Sequence, residues 1–292
     1  MKKYIAAVSG GPDSMSLLNI YKKRIVAVCH VNYHDREDTD NDQQIVEKYC
    51  KENNLKLHIF DTEKDDISKY KKYKNPQTFY RHIRYDFFKD IANQYNVKTC
   101  LVAHNKDDFI ESAYMVIQSK KISLHMGIRK RSHYKTLKLY RPLIRKWKDD
   151  LKKYCLKNNI DFATDYTNEM DIYKRNITRK IFSKKTKFEK NKFYFKIMFH
   201  NFKNSFLDKK IRMLFSKWKN EKFSRDFFLK INMLYKQNLI YLYLLKNGIN
   251  TNKNKIDELI KFINSFNGNN KKFRIKEGIY LTIENKKLII KY

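Results

Sequence analysis

Two adjacent glycines follow the first apolar run of the chain, and glycine is otherwise scarce, with 6 among 292 residues. The run, residues 4–8, has the length and composition of a buried strand, and a helical pattern starts near Ser14. The segment that joins them reads Ser9-Gly10-Gly11-Pro12-Asp13-Ser14. A strand joined to a helix by a glycine turn predicts an α/β unit whose turn N–H groups point inward, at the positive end of the helix dipole.

The same alternation continues through the first 120 residues. Apolar runs that read as strands cover residues 4–8, 25–31, 55–60 and 98–103. Helical patterns follow them at about 14–22, 43–52, 76–95 and 106–118. Repeated β-α units predict a doubly wound parallel sheet of the α/β class, with helices on both faces and the ligand at the carboxyl ends of the strands.

The pattern changes after Gly127. Helices are predicted over about 145–158, from 172 past 180, and through most of 185–245, where the helical apolar spacing indicates core and leaves the lysines exposed. The tail alternates polar and apolar residues and predicts a β-hairpin with its turn at Asn285. We therefore expect an α/β domain over residues 1–185 and a smaller, basic, mostly helical C-terminal region over 186–292.

The charge of the chain is strongly positive, with 64 Lys+Arg against 31 Asp+Glu, a formal net charge of +33. Residues 1–150 carry +11 of this charge and residues 151–292 carry +22. A second half this basic, with Phe and Tyr interleaved, suits a polyanion such as RNA, and a cationic membrane-surface helix is the weaker alternative.

No membrane or exported class is expected. The longest uncharged apolar run, 239–245, is far shorter than the ~20 residues that span a bilayer, and the first apolar run is too short for a signal peptide. The four cysteines contain no C-x-x-C pair and fit a reducing compartment, so we expect a cytoplasmic protein.

The glycine turn predicts a phosphate site that is neither a Walker loop nor a dinucleotide fingerprint. Its backbone N–H groups and the hydroxyls of Ser9 and Ser14 would bind phosphate oxygens, and Pro12 stiffens the turn. Because the turn lacks the Walker lysine, a metal ion and arginines must neutralise the phosphates.

The turn resembles the PP-loop of the N-type ATP pyrophosphatases, which split ATP into AMP and pyrophosphate. Further stretches resemble, in order and spacing, the tRNA(Ile)-lysidine synthetases of that group over about residues 3–183: His30-Val31-Asn32 with Arg36, Arg81-x-x-Arg84-Tyr85, the stretch 103–112, Arg141-Pro142-Leu143, Asp165-x-x-Asn168 and Arg175-Asn176-x-x-Arg179. One departure is Tyr33-His34-Asp35-Arg36, where the family usually has His-Gly-Leu-Arg.

This resemblance implies an ATP-dependent ligase that joins L-lysine to the wobble cytidine of an isoleucine tRNA with a CAU anticodon. The cytosine O2 attacks the α-phosphate of ATP, and the lysine ε-amine then displaces AMP. The implied co-substrate is ATP with Mg²⁺.

The site residues follow from the charges that such a reaction must stabilise. We predict as catalytic Asp13, Arg81, Asp107, Asp108 and Glu111. Nucleotide-binding residues are predicted to be Ser9, Gly10, Gly11, Pro12, Asp13, Ser14, Arg84 and Arg175, and the metal ligands Asp13 and Asp108. Asp107 and Glu111 are four apart on one helical face and could hold Mg²⁺ or an amine, although acids at a helix N-terminus also serve as caps.

Other roles remain open at this stage. Arg81 and Arg84 could be surface residues, and Arg179 could lie on a solvated basic face. His30 and His104, at strand ends, are expected to be structural, and Asp35 is a further base or metal candidate. Two other functions stay open: sulfur transfer to tRNA by the same ATP chemistry, and RNA binding without catalysis.

Overall fold

The computed structural model describes residues 2–34, 39–73, 75–119, 123–163, 173–268 and 271–292, with the side chains at 77 and 173–175 left out of the description. The chain divides into two compact units. The first unit comprises Met1–Glu111 with Ile128–Lys184, and the second comprises Ser112–Gly127 with Lys185–Tyr292.

The first unit is built on one sheet flanked by helices. Its strands are β1 (Tyr4–Ala7), β2 (Ile25–Asn32), β3 (Leu57–Asp61), β4 (Thr99–Leu101), β5 (Arg131–Tyr134) and β6 (Leu137–Tyr140). Its helices are α1 (Pro12–Tyr21), α2 (Thr39–Glu52), α3 (Pro76–Gln94), α4 (Lys106–Gln118, which continues into the second unit), α5 (Lys148–Lys157) and α6 (Tyr173–Ser183).

The strand order places a ligand site between β1 and β4. Within the described residues the order is β3-β2-β1-β4-β6-β5, parallel except for β5. The chain builds the sheet outward from β1 on one side and then crosses to the other side with β4. Such a reversal opens a crevice outside the carboxyl ends of the two strands, which is where doubly wound sheets bind ligands. The predicted fold class is confirmed.

Both faces of the sheet are covered. Along β1, Tyr4 and Ala6 pack with Met15 and Leu17 of α1, whereas Ile5 packs against Tyr85 on the other face. Alternation of this kind places every strand residue in one of two apolar layers. This is why β1 and β2 are continuous apolar runs, as predicted for a parallel sheet.

The β5–β6 hairpin was not predicted. The sequence indicated one polar basic stretch ahead of residue 137, but Arg131–Tyr134 pairs with Leu137–Tyr140 in antiparallel register. The tight turn places Lys135 at φ 50, a left-handed conformation that usually calls for Gly or Asn. The usual turn signal is therefore missing from the sequence.

The second unit is helical and ends in a small sheet. Its elements are α7 (Lys187–Asn220), α8 (Arg225–Leu229), α9 (Met233–Lys246), α10 (Lys253–Ser265), β7 (Phe273–Lys276), β8 (Ile279–Glu284) and β9 (Lys287–Lys291). The predicted hairpin is β8–β9, with Asn285 and Lys286 at φ 49 and 60 in the turn. β7 adds a third antiparallel strand.

The core of this unit surrounds Trp218, which is completely buried together with Phe228 and Leu239. Helix α7 begins at a capping box formed by Thr186 and Glu189. The prediction of core for the apolar spacing in 185–245 is correct for one face of α7 and wrong for another, where phenylalanines are exposed. In the described part of the chain, no helix is both long enough and apolar enough to cross a membrane.

Candidate active site

A cleft of about 320 Å³ lies at the carboxyl ends of β1, β2 and β4. One wall is the turn after β1, with Ser9 and Gly11 to Ser14, and another is the segment after β4, with His104 and Asp108. Helix α3 contributes Arg84, and with it the rings of Tyr85 and Phe88. The structure therefore brings the predicted phosphate turn, one predicted carboxylate and one predicted arginine into one site at the topological switch point.

The two glycines of the turn serve different purposes. Gly10 has φ +86, and a Cβ atom there would lie 2.9 Å from the backbone oxygen of Asp42 in α2. Gly10 is therefore required by the fold. Gly11 has an ordinary φ of −70, and a Cβ atom there would meet only the Ser9 Oγ at 4.0 Å, so the fold does not require it.

The beginning of α1 presents its backbone N–H groups without a side-chain cap. Gly11 is the N-cap and supplies no capping side chain, and Pro12 has no N–H. Because the first regular helical bond runs from Met15 N to Gly11 O, the amides of Asp13 and Ser14 lack intrahelical partners. An anion is the natural partner for such amides at the positive end of a helix.

Ser14 is committed to the turn itself. Its side chain is buried, its hydroxyl donates to Gly11 O at 2.9 Å, and its Oγ accepts from Ser9 N at 3.2 Å. These bonds hold the turn in its bent form, and Ser14 also lines the cleft. Ser9, in contrast, is exposed beside the cleft.

Asp13 lies between the two loops of the switch point. Its Oδ2 accepts a bond of 2.9 Å from Asn105 Nδ2, whereas its Oδ1 is buried without a hydrogen-bond partner among the described residues. Burial, and next the nearby charge of Asp108, raise the pKa of Asp13 to about 7, although Lys148 and Asn105 act in the opposite direction. A carboxylate in such surroundings calls for a cation.

Asp108 has two roles in the structure. Its Oδ2 accepts from Asn105 N at 2.9 Å and Asn105 Oδ1 accepts from Asp108 N at 3.0 Å, a reciprocal cap at the start of α4. Asp108 also lines the cleft and raises the pKa of Asp13. The capping alternative and the functional one are therefore compatible for this residue.

Asp107 and Glu111 lie on one helical face but have separate contacts. Asp107 Oδ2 accepts from the backbone N–H of Lys148, at the start of α5, at 2.9 Å. Glu111 is buried, and its Oε2 lies 3.5 Å from the Nε of Arg179, which lines the cleft. Asp107 thus joins α4 to α5, and Glu111 orients a cleft arginine.

The two arginines of α3 both stack on Tyr85. The guanidinium carbons of Arg81 and Arg84 lie 4.7 and 5.3 Å from the ring centroid. Arg84 is among the residues that line the cleft, whereas the side chain of Arg81 is exposed and stacks outside that lining. The side chain of Arg175, like Asp35, Arg36, Asp165 and Asn168, lies outside what the structure describes.

The two histidines at strand ends have structural contacts. His30 is buried, its Nδ1 lies 3.0 Å from Val8 O, and burial lowers its pKa, so the neutral ring donates this bond. His104 Nδ1 accepts from Arg141 Nε at 3.0 Å. Arg141 itself is buried and donates to Arg129 O and Ser132 Oγ, which connects the β5–β6 hairpin to the edge of the cleft.

Sequence reasoning missed Lys148 and Tyr33, both of which line the cleft. Lys148 stands at the first turn of α5 and reaches the site only through the packing of α5 on α1, so no spacing in the sequence indicates it. Tyr33 is followed by His34, which has φ 49 at the position where the resembled family has Gly. His34 Nε2 lies 2.8 Å from Asp61 Oδ1, and this contact fixes the end of β2.

We expect Lys148→Met to raise the KM for ATP about 10- to 100-fold, because one charged hydrogen bond to phosphate is lost. The KM is measured from AMP formation at increasing ATP concentration. The control is Lys152→Met, an exposed lysine one turn further along α5 that does not line the cleft. Equal KM values for the two variants would show that Lys148 does not contact the phosphates of ATP.

The fold, the glycine turn and the cation-lined crevice define a nucleotide-binding domain of the PP-loop class. A family model described as "PP-loop domain" matches residues 1–185. The chain is 51% identical to the tRNA(Ile)-lysidine synthase of Malacoplasma penetrans over 98% of both chains. It is 40% identical to that of Ureaplasma parvum over 99% of this chain and 87% of the relative. The chain therefore belongs to the tRNA(Ile)-lysidine synthase family.

A further relative agrees with this assignment, and a solved structure shares the fold. The tRNA(Ile)-lysidine synthase of Mycoplasma genitalium is 38% identical over 100% of this chain and 98% of the relative. Among solved structures, the U34-tRNA thiolase NcsA from Methanococcus maripaludis aligns with a TM-score of 0.55 and 16% identity, over 70% of this chain and 72% of that one. At this identity the likeness shows the fold alone.

Proposed function

We propose that this protein ligates L-lysine to the wobble cytidine of the CAU anticodon of an isoleucine tRNA, and that it consumes ATP and releases AMP and pyrophosphate. The observation that carries the proposal is the uncapped start of α1 at the switch point, in a chain similar over its whole length to tRNA(Ile)-lysidine synthases. The tRNA substrate places the reaction in the cytoplasm.

The phosphate end of ATP binds the turn after β1. The amides of Asp13 and Ser14 donate to the pyrophosphate, and Arg84, Lys148 and Arg179 supply positive charge around it. Attack of the cytosine O2 on the α-phosphorus places new charge on the non-bridging oxygens and on the leaving pyrophosphate. Fixed donors at that position stabilise the transition state without reorganisation.

Asp13 and Asp108 are the residues that would hold Mg²⁺. The fit is supported by the buried Oδ1 of Asp13, which has no hydrogen-bond partner among the described residues, and by the nearby charge of Asp108, which helps to raise the pKa of Asp13. Mg²⁺ takes oxygen ligands and commonly uses one or two carboxylates together with substrate phosphates. When bound, the ion neutralises charge on the phosphates. The described residues contain no group of three or more His, Cys, Asp or Glu that would form a complete protein cage.

The second step needs a neutral amine. The lysine ε-amine is protonated at neutral pH, so a carboxylate must accept its proton before the nitrogen attacks C2 of the adenylated cytidine and displaces AMP. Asp108 lies at the cleft and is our candidate for this base. Asp107 and Glu111 support the site by the contacts described above, to α5 and to Arg179.

The alternative of sulfur transfer is disfavoured by the cysteines. Cys29, Cys50, Cys100 and Cys155 are all buried, and burial raises the pKa of each thiol, of Cys50 and Cys100 to about 12. Thiols in this state are weak nucleophiles and poor cluster ligands. Nothing in the described site offers a sulfur carrier.

The test is ATP-dependent attachment of labelled lysine to an isoleucine tRNA transcript with a CAU anticodon. We expect one lysine per tRNA and one AMP per lysine. The matched control is the same transcript with uridine at the wobble position, which should receive no lysine. Transfer of sulfur but not lysine to the tRNA, with release of AMP, would support thiolation. Binding of tRNA with no AMP under any condition would support a non-catalytic RNA-binding protein.

A further inference from the structure

Helix α7 exposes a row of large apolar side chains along one face. At 100° per residue, these side chains fall within an arc of about 60° and extend over about 37 Å of the helix. They are Phe188, Phe195, Phe199, Phe202, Phe206 and Met213, which we call the phenylalanine row. Phe199, Phe202 and Phe206 are 64%, 66% and 74% exposed.

The opposite face of α7 is already buried. Tyr194, Ile197, Ile211 and Trp218 lie there, and Ile211 and Trp218 belong to the core of the second unit. The phenylalanine row is therefore not needed to attach α7 to its own unit. A contiguous row of exposed rings on a helix that is already packed marks a binding surface.

The charge of this face selects the class of partner. Exposed lysines flank this arc: Lys217 lies within it, beyond Met213, and Lys192, Lys203, Lys209 and Lys210 lie about 20–40° outside its edges. The two acids of α7, Glu189 and Asp208, lie outside the arc, and Asp208 pairs with Arg212. A second copy of the same face would oppose lysine to lysine, so self-association is disfavoured, and the partner must be anionic.

The lysines flank the phenylalanine row on both of its sides. The Lys203 ammonium lies 5.6 Å from the ring centroid of Phe199, and the rings of Phe202 and Phe206 form an edge-to-face pair at 6.4 Å. A row of exposed rings with cations beside it is typical of surfaces that stack bases and bind phosphates of unpaired nucleic acid.

We propose that the phenylalanine row is a stacking surface for unpaired nucleotides of the tRNA substrate, with the flanking lysines binding the phosphates. This inference rests on the proposed function for the identity of the RNA. It goes further because it assigns the RNA contact to exposed aromatic rings, whereas the sequence analysis expected only the lysines of this stretch to be exposed. Because a duplex hides the faces of its bases, the surface should prefer single-stranded segments.

The test compares two triple variants at Phe199, Phe202 and Phe206. Changing all three to Leu keeps the apolar surface but removes the aromatic rings, and changing all three to Tyr keeps the rings. We expect the Leu variant to bind an unstructured RNA of about 12 nucleotides at least about 30-fold more weakly than wild type, and the Tyr variant to bind it within about 3-fold. Binding of the same sequence as a duplex should be equal for all three proteins.

A second measurement uses fluorescence. The two natural tryptophans, Trp147 and Trp218, are buried, so Phe202→Trp would add one exposed reporter. Stacking against a base should quench this emission when single-stranded RNA is added. Insertion into vesicles of phosphatidylserine should instead shift the emission to the blue, and that result without RNA quenching would overturn the proposal in favour of a lipid surface.

Other results would also contradict the proposal. Equal single-strand affinity of the Leu variant and wild type would overturn the proposal, and so would a change of molecular mass in sedimentation caused by the Leu substitutions. If the Leu variant binds RNA normally while wild type attaches lysine to tRNA, only the stacking surface fails. If wild type neither binds RNA nor attaches lysine, the proposed function fails with it.

Discussion

Asp13→Asn is expected to stabilise the metal-free protein above pH 7 while reducing AMP formation by at least about 100-fold. The unfolded chain ionises Asp13 near pH 4, but in the fold its pKa is about 7. The folded state therefore binds the proton more tightly, and stability is lost as the pH rises from 4 through 7. Asn keeps the oxygen that accepts from Asn105 and removes the charge. At about 1.4 kcal/mol per pKa unit, its advantage should approach about 4 kcal/mol at pH 8 and vanish near pH 4.

The measurement is thermal unfolding of both proteins in EDTA at several pH values, beside AMP formation with Mg²⁺ and ATP. Activity should fall because the carboxylate proposed to bind the metal is gone. A lower unfolding temperature for Asp13→Asn at pH 8 would show that the carboxylate is already paired in the metal-free protein. Normal activity would remove Asp13 from the catalytic site.

Alanine substitutions at the two adjacent glycines are expected to separate folding from binding. Gly10→Ala places a side chain at φ +86 and within 2.9 Å of the backbone of α2, so we expect a loss of about 2–4 kcal/mol in the free energy of unfolding. Gly11→Ala has no such conflict, and its stability should change by less than about 1 kcal/mol. Its methyl group lies beside the uncapped amides, so the Kd for ATP should rise at least about 10-fold.

Denaturant unfolding measures the free energy of unfolding of both variants, and calorimetric titration measures their Kd for ATP. Each variant is the control for the other, because the substitutions are identical and adjacent. If Gly11→Ala binds ATP like wild type, the phosphates do not approach this turn. If Gly10→Ala is as stable as wild type, α2 moves away from the added methyl group without a loss of stability, and the fold does not require glycine at this position.

Much of the first unit could be predicted because its signals are local. The apolar runs of β1 and β2 are long enough to be strands. A glycine turn between a strand and a helix is typical of an α/β unit. The position of the switch point between β1 and β4 was not predicted, because it depends on the order of the strands in the sheet and not on their order along the chain. Gly10 and Gly11 look identical in the sequence, however, and only the approach of Asp42 in the fold distinguishes them.

The parts that were missed depend on packing between distant segments. Lys148 reaches the cleft because α5 packs on α1, and no pattern around it encodes that contact. Helix α7 has apolar side chains on two faces, so periodicity alone cannot say which face is buried. The catalytic assignments and the boundary at residue 185 stay predictions.

The distribution of buried thiols and indoles gives each unit its own built-in reporter. All four cysteine thiols belong to the first unit and are 2% exposed or less, whereas Trp218 belongs to the second unit and Trp147 to the first. The rate of thiol alkylation therefore reports opening of the first unit, and emission from Trp218 reports opening of the second unit once Trp147 is replaced by Phe. Opening of the two units can then be measured separately in one protein.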